Sequence, residues 1–596
     1  MLNINKLKNI SKNKKCFQSS LSKWSKQNDP NRLVDTTLNV DFAMHTDEEE
    51  NPWWMVDLES EYEIEKIIIH NRKKQRQNRA RTLKVEISLD GQRWRVVQQG
   101  FQYWGSRKDI LIKKQLKARY VKISLEEKTF LHLSNMGVYT RDYFIVAGRN
   151  DGLGGRLQTI LNALYISKNT GLKFAYTWKN DVNEYAKDFV KDQKIGNNKI
   201  IGHAIESEKE VFSDEFISKY SSTSHVNPNQ GILRSKKLAF LSDILKEPLE
   251  RNWGWYAPLD DLTKLFSKIN REDYRTQISQ LWYEIDFKDN IKALIKEAEK
   301  LASNELDFIA IHIRSGDIVY GGYRFFGKRF MKKALPLHLA LGEVEELVKV
   351  NKQIVLFGDD NSSNSIIKNI YKDNIKLVDD FFPNRKLSNL ERAIFEVTFM
   401  SKANQILASG ASFFSNLASF IGNINGITSI YQLTSKDTQY EIYKKNLFLY
   451  KFHPYQMAFS FFHVFILGME LDKPLEELEQ LIKEGLTNDP LNNKYLIFTI
   501  DILLKQNKII EAENLILERL KFEKKLVMED SDYKSLKETL IIKADNKYWH
   551  SFVFDKILKF YDNKEFPALS YLSYVIKDEK NGTSISLKKL QELFDD

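Results

Sequence analysis

The hydrophobic period changes twice along the 596 residues, and each change calls for a different kind of core. Up to about residue 142 the apolar residues come in short runs with period two, bounded by turn signals: "KIIIHNR", "TLKVEISLDGQRWRVVQQG", "DILIKK" and "ARYVKISL". That pattern predicts an antiparallel β-sandwich of the jelly-roll kind over 1–142. From 143 to about 452, strand-like runs alternate with helical ones. "YFIVAG", the Gly-rich "RNDGLGGR", the helix "LQTILNALYISKNTG" and the strand "LKFAYTW" form one β-α-β unit. A second series runs from "LDFIAIHIRSGD" to "GITSIYQL". Two such α/β halves imply a cleft at the carboxyl ends of their strands. Residues 453–596 carry amphipathic helices and almost no strand signal, which predicts a helical C-terminal domain with a faint likeness to tetratricopeptide hairpins.

Composition narrows the classes. Eleven Pro and 25 Gly exclude a collagenous or linker-dominated chain, and 12% aromatic residues exceed what a disordered chain carries. One cysteine, Cys16, allows no intrachain disulfide and no multi-Cys zinc site. The Lys-rich start has no apolar h-region, and no later stretch of about 18 residues is apolar throughout. The expectation is a cytoplasmic protein without signal peptide or membrane span, with peripheral attachment at the inner membrane face as a variant. The formal charge of +10 is local: residues 1–142 hold 27 Lys+Arg against 18 Asp+Glu, a net of +9. Six cations fall in Arg72–Arg81, which reads either as a solvated loop or as a contact surface for an anionic polymer or membrane. No nucleic-acid motif accompanies it, so nucleic acid is not an expected partner.

Three elements of the middle region carry chemistry. In "DGLGGR" (Asp151–Arg156), Gly152 and Gly154 lie in a strand-to-helix turn, where backbone N–H groups can approach an anion closely. In "HIRSGD", period two puts His312 and Arg314 on one face of a strand end. Arg314 offers a permanent planar cation for a diphosphate leaving group, or pairs with Asp317. In "ASGASFFSNLASFIG", Ser412 and Ser415 stand in the first turns of a helix whose free N–H groups can grip phosphate; a capping role accounts for one of them.

The first region resembles the discoidin, or coagulation-factor type C, module. Trp53, Trp54 and Asp57 match its "PWW-VDL" core, and Asp90, Gly91 and Trp94 its "S-DG--W" hairpin. Both tryptophans read as core residues rather than a stacking platform. Fucose-binding lectin relatives use a His at fixed distance before an Arg-x-Asp group. At that offset from Arg107-Lys108-Asp109 stands Thr82, so fucose recognition of that kind is not expected.

The middle region resembles the fucosyltransferase superfamily, which includes the α1,2-, α1,6- and protein O-fucosyltransferases and the rhizobial nodulation enzymes. Its shared features are a Gly-rich first loop, a His-x-Arg-x-x-Asp strand end and a Ser-Gly-x-Ser-x-x-Ser helix start. The resemblance implies a GT-B fold of two Rossmann lobes, a GDP-activated donor with no cofactor or metal, and inversion at the anomeric carbon. Arg314 would hold the donor β-phosphate, with His312, Gly152, Gly154 and Arg156 in the same donor site. Asp360 rather than Asp359 would read guanine or ribose, and Ser412 and Ser415 would hold the diphosphate. Gly155 and Ser315 depart from the family pattern, which leaves fucose, another deoxysugar or a heptose open as the sugar. The catalytic pair is Arg314 and Asp317. Asp151, Glu391 and Glu396 are further candidates for the base. The paired carboxylates Asp359-Asp360 and Asp379-Asp380, and the Asp530-Ser531-Asp532 triplet, read as loop acids rather than metal ligands. The loop "YGGYRFFGKRF" puts Tyr320 and Tyr323 forward as acceptor-binding rings. The expected activity is sugar transfer onto a capsular or surface polysaccharide, alongside a membrane-associated assembly complex. The alternatives are transfer of a phosphoramidate or phosphate from another nucleotide, and a non-catalytic glycan-binding protein.

Overall fold

The computed structural model describes residues 2–180, 184–305, 307–325, 328–383, 385–529, 554–561 and 563–573. Asp530-Ser531-Asp532 lies outside them. The chain divides into two compact units.

The first unit comprises Met1–Val146 with Ile166–Ala175 and Leu245–Tyr256. Its main sheet is antiparallel, with the strands Lys8–Asn9, His132–Thr140, Trp53–Asn71, Arg107–Leu125, Leu83–Ser88 and Arg95–Gln99 in that spatial order. The strands Trp53–Asn71 and Arg107–Leu125 are 19 residues long. Their pairing shifts register between Asp57 and Tyr62 and again between Ile64 and Lys66. Such bulges bend a long strand so that one ribbon serves both faces of a sandwich. Alternation along Trp53–Asn71 sends Trp54, Val56 and Leu58 inward, and Ile67 and Ile69 further on. Trp54 is fully buried, with its Nε1 donating to the Pro30 carbonyl at 2.8 Å, whereas Trp53 is half-buried on the other face. Asp57 holds Arg119 bidentately at 2.8 and 2.9 Å. Asp90 caps its hairpin by accepting from the backbone N–H of Gln92 and Arg93. Cys16 packs in this core as a free thiol, pushed up to about 12 by burial. A three-stranded sheet follows, in the order Lys173–Tyr176, Phe144–Ala147, Gly254–Tyr256, with Phe144 to Val146 pairing in parallel with Gly254 to Tyr256. The first α/β half is thus smaller than expected. From Glu184 to Trp253 the chain lacks long apolar runs and folds into short helices and the hairpin Gln193–Ile195/Asn198–Ile200.

The second unit holds a five-stranded parallel sheet in the order Ile375–Leu377, Gln353–Gly358, Phe308–Ile313, Gln405–Ala408, Ile427–Ser429. In chain order this is third, second, first, fourth, fifth, so the strand order reverses between Phe308–Ile313 and Gln405–Ala408. The carboxyl ends of strands at such a reversal open a crevice. Every residue of Phe308–Ile313 is buried, as expected of a central strand covered by helices on both faces. The helices Pro454–Glu470, Leu475–Asn488 and Asn493–Lys505 share one apolar core with this sheet, joining Ile311 and Leu356 to Phe461, Phe465 and Leu503. The helical segment therefore falls within the second unit. Among the described residues no helix is long and apolar enough to cross a membrane.

Candidate functional site

A cavity of about 220 Å³ lies in the second unit at the carboxyl ends of Phe308–Ile313 and Gln353–Gly358. Three segments distant in sequence build its polar wall. The first is the strand end, where His312 and Arg314 both line the cavity. The turn after them is locked: Asp359 Oδ1 accepts from the Ser315 and Gly316 N–H groups at 2.8 and 3.0 Å. Gly316 sits at φ 25, and a Cβ there would stand 2.4 Å from Asp359 Oδ2. The second is the glycine turn Gly152–Gly155 opening the helix Leu153–Thr170, and the third is Ser412–Phe414 opening the helix Phe413–Ile421. A Cβ on Gly154 would come within 2.7 Å of the Phe414 backbone, so only glycine lets these two helix starts meet. Each start carries partial positive charge and N–H groups free of helical partners.

Among the described residues, two buried polar atoms at this wall have no partner. Ser412 stands at the N-cap position but makes no cap bond, and its Oγ has no hydrogen bond. His312 Nδ1 is likewise unpartnered. Burial, reinforced by Arg314, lowers His312 to about 3, so the ring is neutral. An unpaired buried polar group costs about 1–3 kcal/mol, and two at one cavity wall mark a place where a ligand would pair them.

The acids divide by environment. Arg314 Nη2 donates to Asp317 Oδ1 at 2.9 Å, and His203 Nε2 lies 3.7 Å from Asp317 Oδ2. Burial alone would raise Asp317, but Arg314 and His203 overcome it and hold the carboxyl well below its ordinary range. Asp317 is thus a weak proton acceptor and the holder of Arg314, which argues against it as the base. Glu396 also lines the cavity, and burial pushes it up to about 7 despite Arg392 Nε at 2.7 Å. Asp359 is likewise raised by burial. Asp151 faces the cavity partly exposed, held by Arg149 at 3.1 and 2.6 Å. Glu391 lies outside the cavity, in a capping box with Ser388.

Gly152, Gly154, His312, Arg314, Asp317, Ser412 and Tyr323 all line the cavity. Four expected site residues do not. Arg156 turns inward, donating to the carbonyls of Asp151 and Lys179 at 2.6 Å and lying over Trp178. Asp360 caps the helix Asn361–Tyr371, accepting from Ser363 N–H and Oγ at 3.1 and 2.6 Å and from Gln456 Nε2 at 3.0 Å. Tyr320 is buried with its hydroxyl on that same carboxylate. Ser415 Oγ donates to the Ser412 carbonyl at 3.2 Å. In each case a local partner satisfies the polar atom that was to meet ligand. Asp359, the less favoured of its pair, is the one at the cavity. His203, Lys333 and Arg392 line it unforeseen; they stand in segments without a motif, and only tertiary folding brings them there.

The first unit holds a second cluster that the sequence did not reveal. The His45 ring lies 5.0 Å from Trp24, 5.2 Å from Phe42 and His132, and 5.6 Å from Phe130. Arg72 stacks on Phe42 at 5.2 Å and pairs with Asp41, while Arg79 stacks on Phe130 at 4.6 Å. Among the described residues, both His132 nitrogens and Arg72 Nε are buried without partners. Burial keeps both histidines neutral, His132 at about 3. His45 Nδ1 donates to the Thr46 carbonyl at 2.7 Å, which leaves its Nε2 as an acceptor. One acceptor, two guanidinium donors and a 40%-exposed Trp24 face suit the hydroxyls and apolar face of a sugar.

The family model described as F5/8 type C domain matches residues 16–135, and this segment is such a domain, a β-sandwich. Solved structures are similar over the same part. The lectin domain of lectinolysin complexed with Lewis B antigen is 28% identical, covering 22% of this chain and 95% of that one, with a TM-score of 0.20. A Streptococcus pneumoniae fucose binding module, SpX-3, is 28% identical over 22% of this chain and 98% of that one, with a TM-score of 0.21. The f-lectin of striped bass (Morone saxatilis) serum is 23% identical over 25% and 53%, with a TM-score of 0.21. No curated protein matches the chain.

Proposed function

We propose that the chain is an inverting, metal-independent glycosyltransferase that moves a sugar from a GDP-activated donor to a capsular or surface polysaccharide, and that its first unit holds glycan. The observation carrying this reading is the cavity wall in which Arg314, two helix starts and the unpartnered Ser412 Oγ and His312 Nδ1 converge. An acceptor hydroxyl oxygen bonds to the anomeric carbon as the bond from that carbon to the β-phosphate oxygen breaks. The electron pair leaves with the diphosphate. Arg314 and the helix N–H groups meet the charge that grows there, a term worth about 10²–10³ in rate per donor in comparable sites. Asp317 and His203 fix the Arg314 guanidinium for this role.

Glu396 suits the nucleobase. Guanine presents two adjacent N–H donors, and a buried carboxyl raised to about 7 ionises readily once such donors reach it. A base for a polymer hydroxyl must be reachable from the cavity mouth, which favours Asp151 over the buried Glu396. Tyr323, its ring 4.5 Å from Phe330 at the cavity edge, suits an acceptor sugar. In the first unit, the His45–Arg72–Trp24 cluster supports glycan binding. The test is nucleotide release from a panel of GDP-, UDP- and CDP-sugars with a polysaccharide acceptor, with and without EDTA. Release from a GDP-sugar, insensitive to EDTA and absent in Arg314→Ala, is expected. Release from a cytosine or uracil nucleotide alone would move the protein to the phosphoramidate or phosphate reading, and none at all to the non-catalytic one.

A further inference from the structure

We infer that the first unit carries a second sugar subsite, on the other side of the basic turn from the His45 cluster, and that the two together hold an acidic polysaccharide chain. This rests on the glycan-binding part of the reading above and not on its catalytic part. The subsite is a cavity of about 300 Å³ lined by Arg81, Leu83, Gln98, Gln99, Gly100, Phe101, Gln102, Trp104 and Lys108, at the lower end of small-ligand pockets.

Its rim is held in place. Trp104 Nε1 donates to the Ala80 carbonyl at 2.6 Å, and Tyr103 Oη to Gln77 Oε1 at 2.8 Å, which fastens the 100–106 loop to the 77–81 turn. That fastened loop nevertheless leaves Phe101 67% exposed. An ordered aromatic ring kept in water beside amide side chains is the arrangement a sugar ring covers. Gln102 has no hydrogen-bond partner, and Lys108 no ion-pair partner, among the described residues. Arg81 is exposed and spends Nη2 on Glu127, leaving its other donors toward solvent.

Charge selects the polymer. Arg79, stacked at the His45 cluster, and Arg81, at this cavity, are two residues apart and flank Ala80. Two residues of chain span at most about 7 Å. Lys73, Lys74 and Arg76 stand exposed in the same loop, in a segment with a net charge of +9. A neutral glycan would gain no charge pairing from Lys73, Lys74 and Arg76, whereas uronate or sulfate groups along a chain would meet these cations in succession.

The test uses the full chain against hyaluronate, polygalacturonate and heparin, with dextran as the neutral polymer and phosphatidylcholine/phosphatidylserine vesicles as the anionic surface. Binding is followed by biolayer interferometry at two salt concentrations. At least one acidic polymer should bind, weakening as salt rises. Phe101→Ala and Lys108→Glu, both on the rim, should each weaken it about tenfold, and Arg314→Ala should leave it unchanged. Dextran binding equal to the acidic polymers, vesicle binding in their place, or full affinity in both rim variants would each overturn the inference. A loss in Arg314→Ala would assign the binding to the second unit and overturn it as well, whereas failure of nucleotide release would leave it standing.

Discussion

Each unit presents a histidine beside an arginine, and the two pairs sit in opposite surroundings. In the second unit, His312 and Arg314 come from one strand end, and the guanidinium is held by the buried Asp317 inside a cavity also faced by two helix starts. In the first, His45 and Arg72 lie 27 residues apart in sequence and meet among Trp24, Phe42 and Phe130, with the guanidinium paired to Asp41 on a partly open rim. Burial with convergent N–H donors suits a diphosphate, which needs charge met in a dry place. Ring faces with a neutral imidazole acceptor suit hydroxyls. The residue types are the same; burial and neighbours decide the chemistry.

The comparison can be broken by exchanging losses between the sites. Arg314→Ala should lower nucleotide release by about 10²–10³ while leaving glycan binding unchanged. A loss of both would mean that the pairs are not separate. Arg72→Ala should weaken glycan binding about tenfold, roughly 1.4 kcal/mol, without changing donor KM, as measured by titration and steady-state kinetics. Tyr323→Ala should raise acceptor KM several-fold. Tyr320→Phe should instead lower thermal stability by about 1–3 kcal/mol, because it strips a donor from the buried Asp360, and leave acceptor KM alone.

The smallest expected effect is a pH slope. Glu396 holds its proton in the folded protein up to about 7, against an ordinary value of 4.5. Between those values the folded state carries a proton that the unfolded state has lost, so this group makes stability fall as pH rises. The slope is at most about 1.4 kcal/mol per pH unit. Glu396→Gln should flatten it in urea melts between pH 5 and 7; an unchanged slope would place its origin elsewhere.

What was legible in the sequence follows from contiguity. The sandwich pattern, the Trp54 and Asp57 core and the doubly wound series were readable because period and turn residues are local signals. Gly152, Gly154, His312, Arg314 and Ser412 were readable because each sits within seven residues of a strand end. Asp360 and Tyr320 misled because the sequence does not show that Asn198, Ser363 and Gln456 fold around them and use their polar atoms. Gln456 comes from the helix Pro454–Glu470, almost a hundred residues on, and also donates to Ser315 Oγ at 2.8 Å. The segment expected to form a helical C-terminal domain thus reaches the residue beside Arg314. The His45 cluster was missed because its rings come from three separate segments, at Trp24, at Phe42 and His45, and at Phe130 and His132.

The donor-site assignment depends most directly on whether the Arg314 cavity takes a guanine nucleotide. Isothermal titration of the full chain with GDP, UDP and CDP should show GDP binding more tightly than the other two. That binding should fall at least tenfold in both Arg314→Ala and Ser412→Ala, with the fold retained by circular dichroism. Equal affinity for the three nucleotides would remove the guanine assignment of Glu396. No nucleotide binding, or GDP affinity unchanged by both substitutions, would contradict the cavity as the donor site.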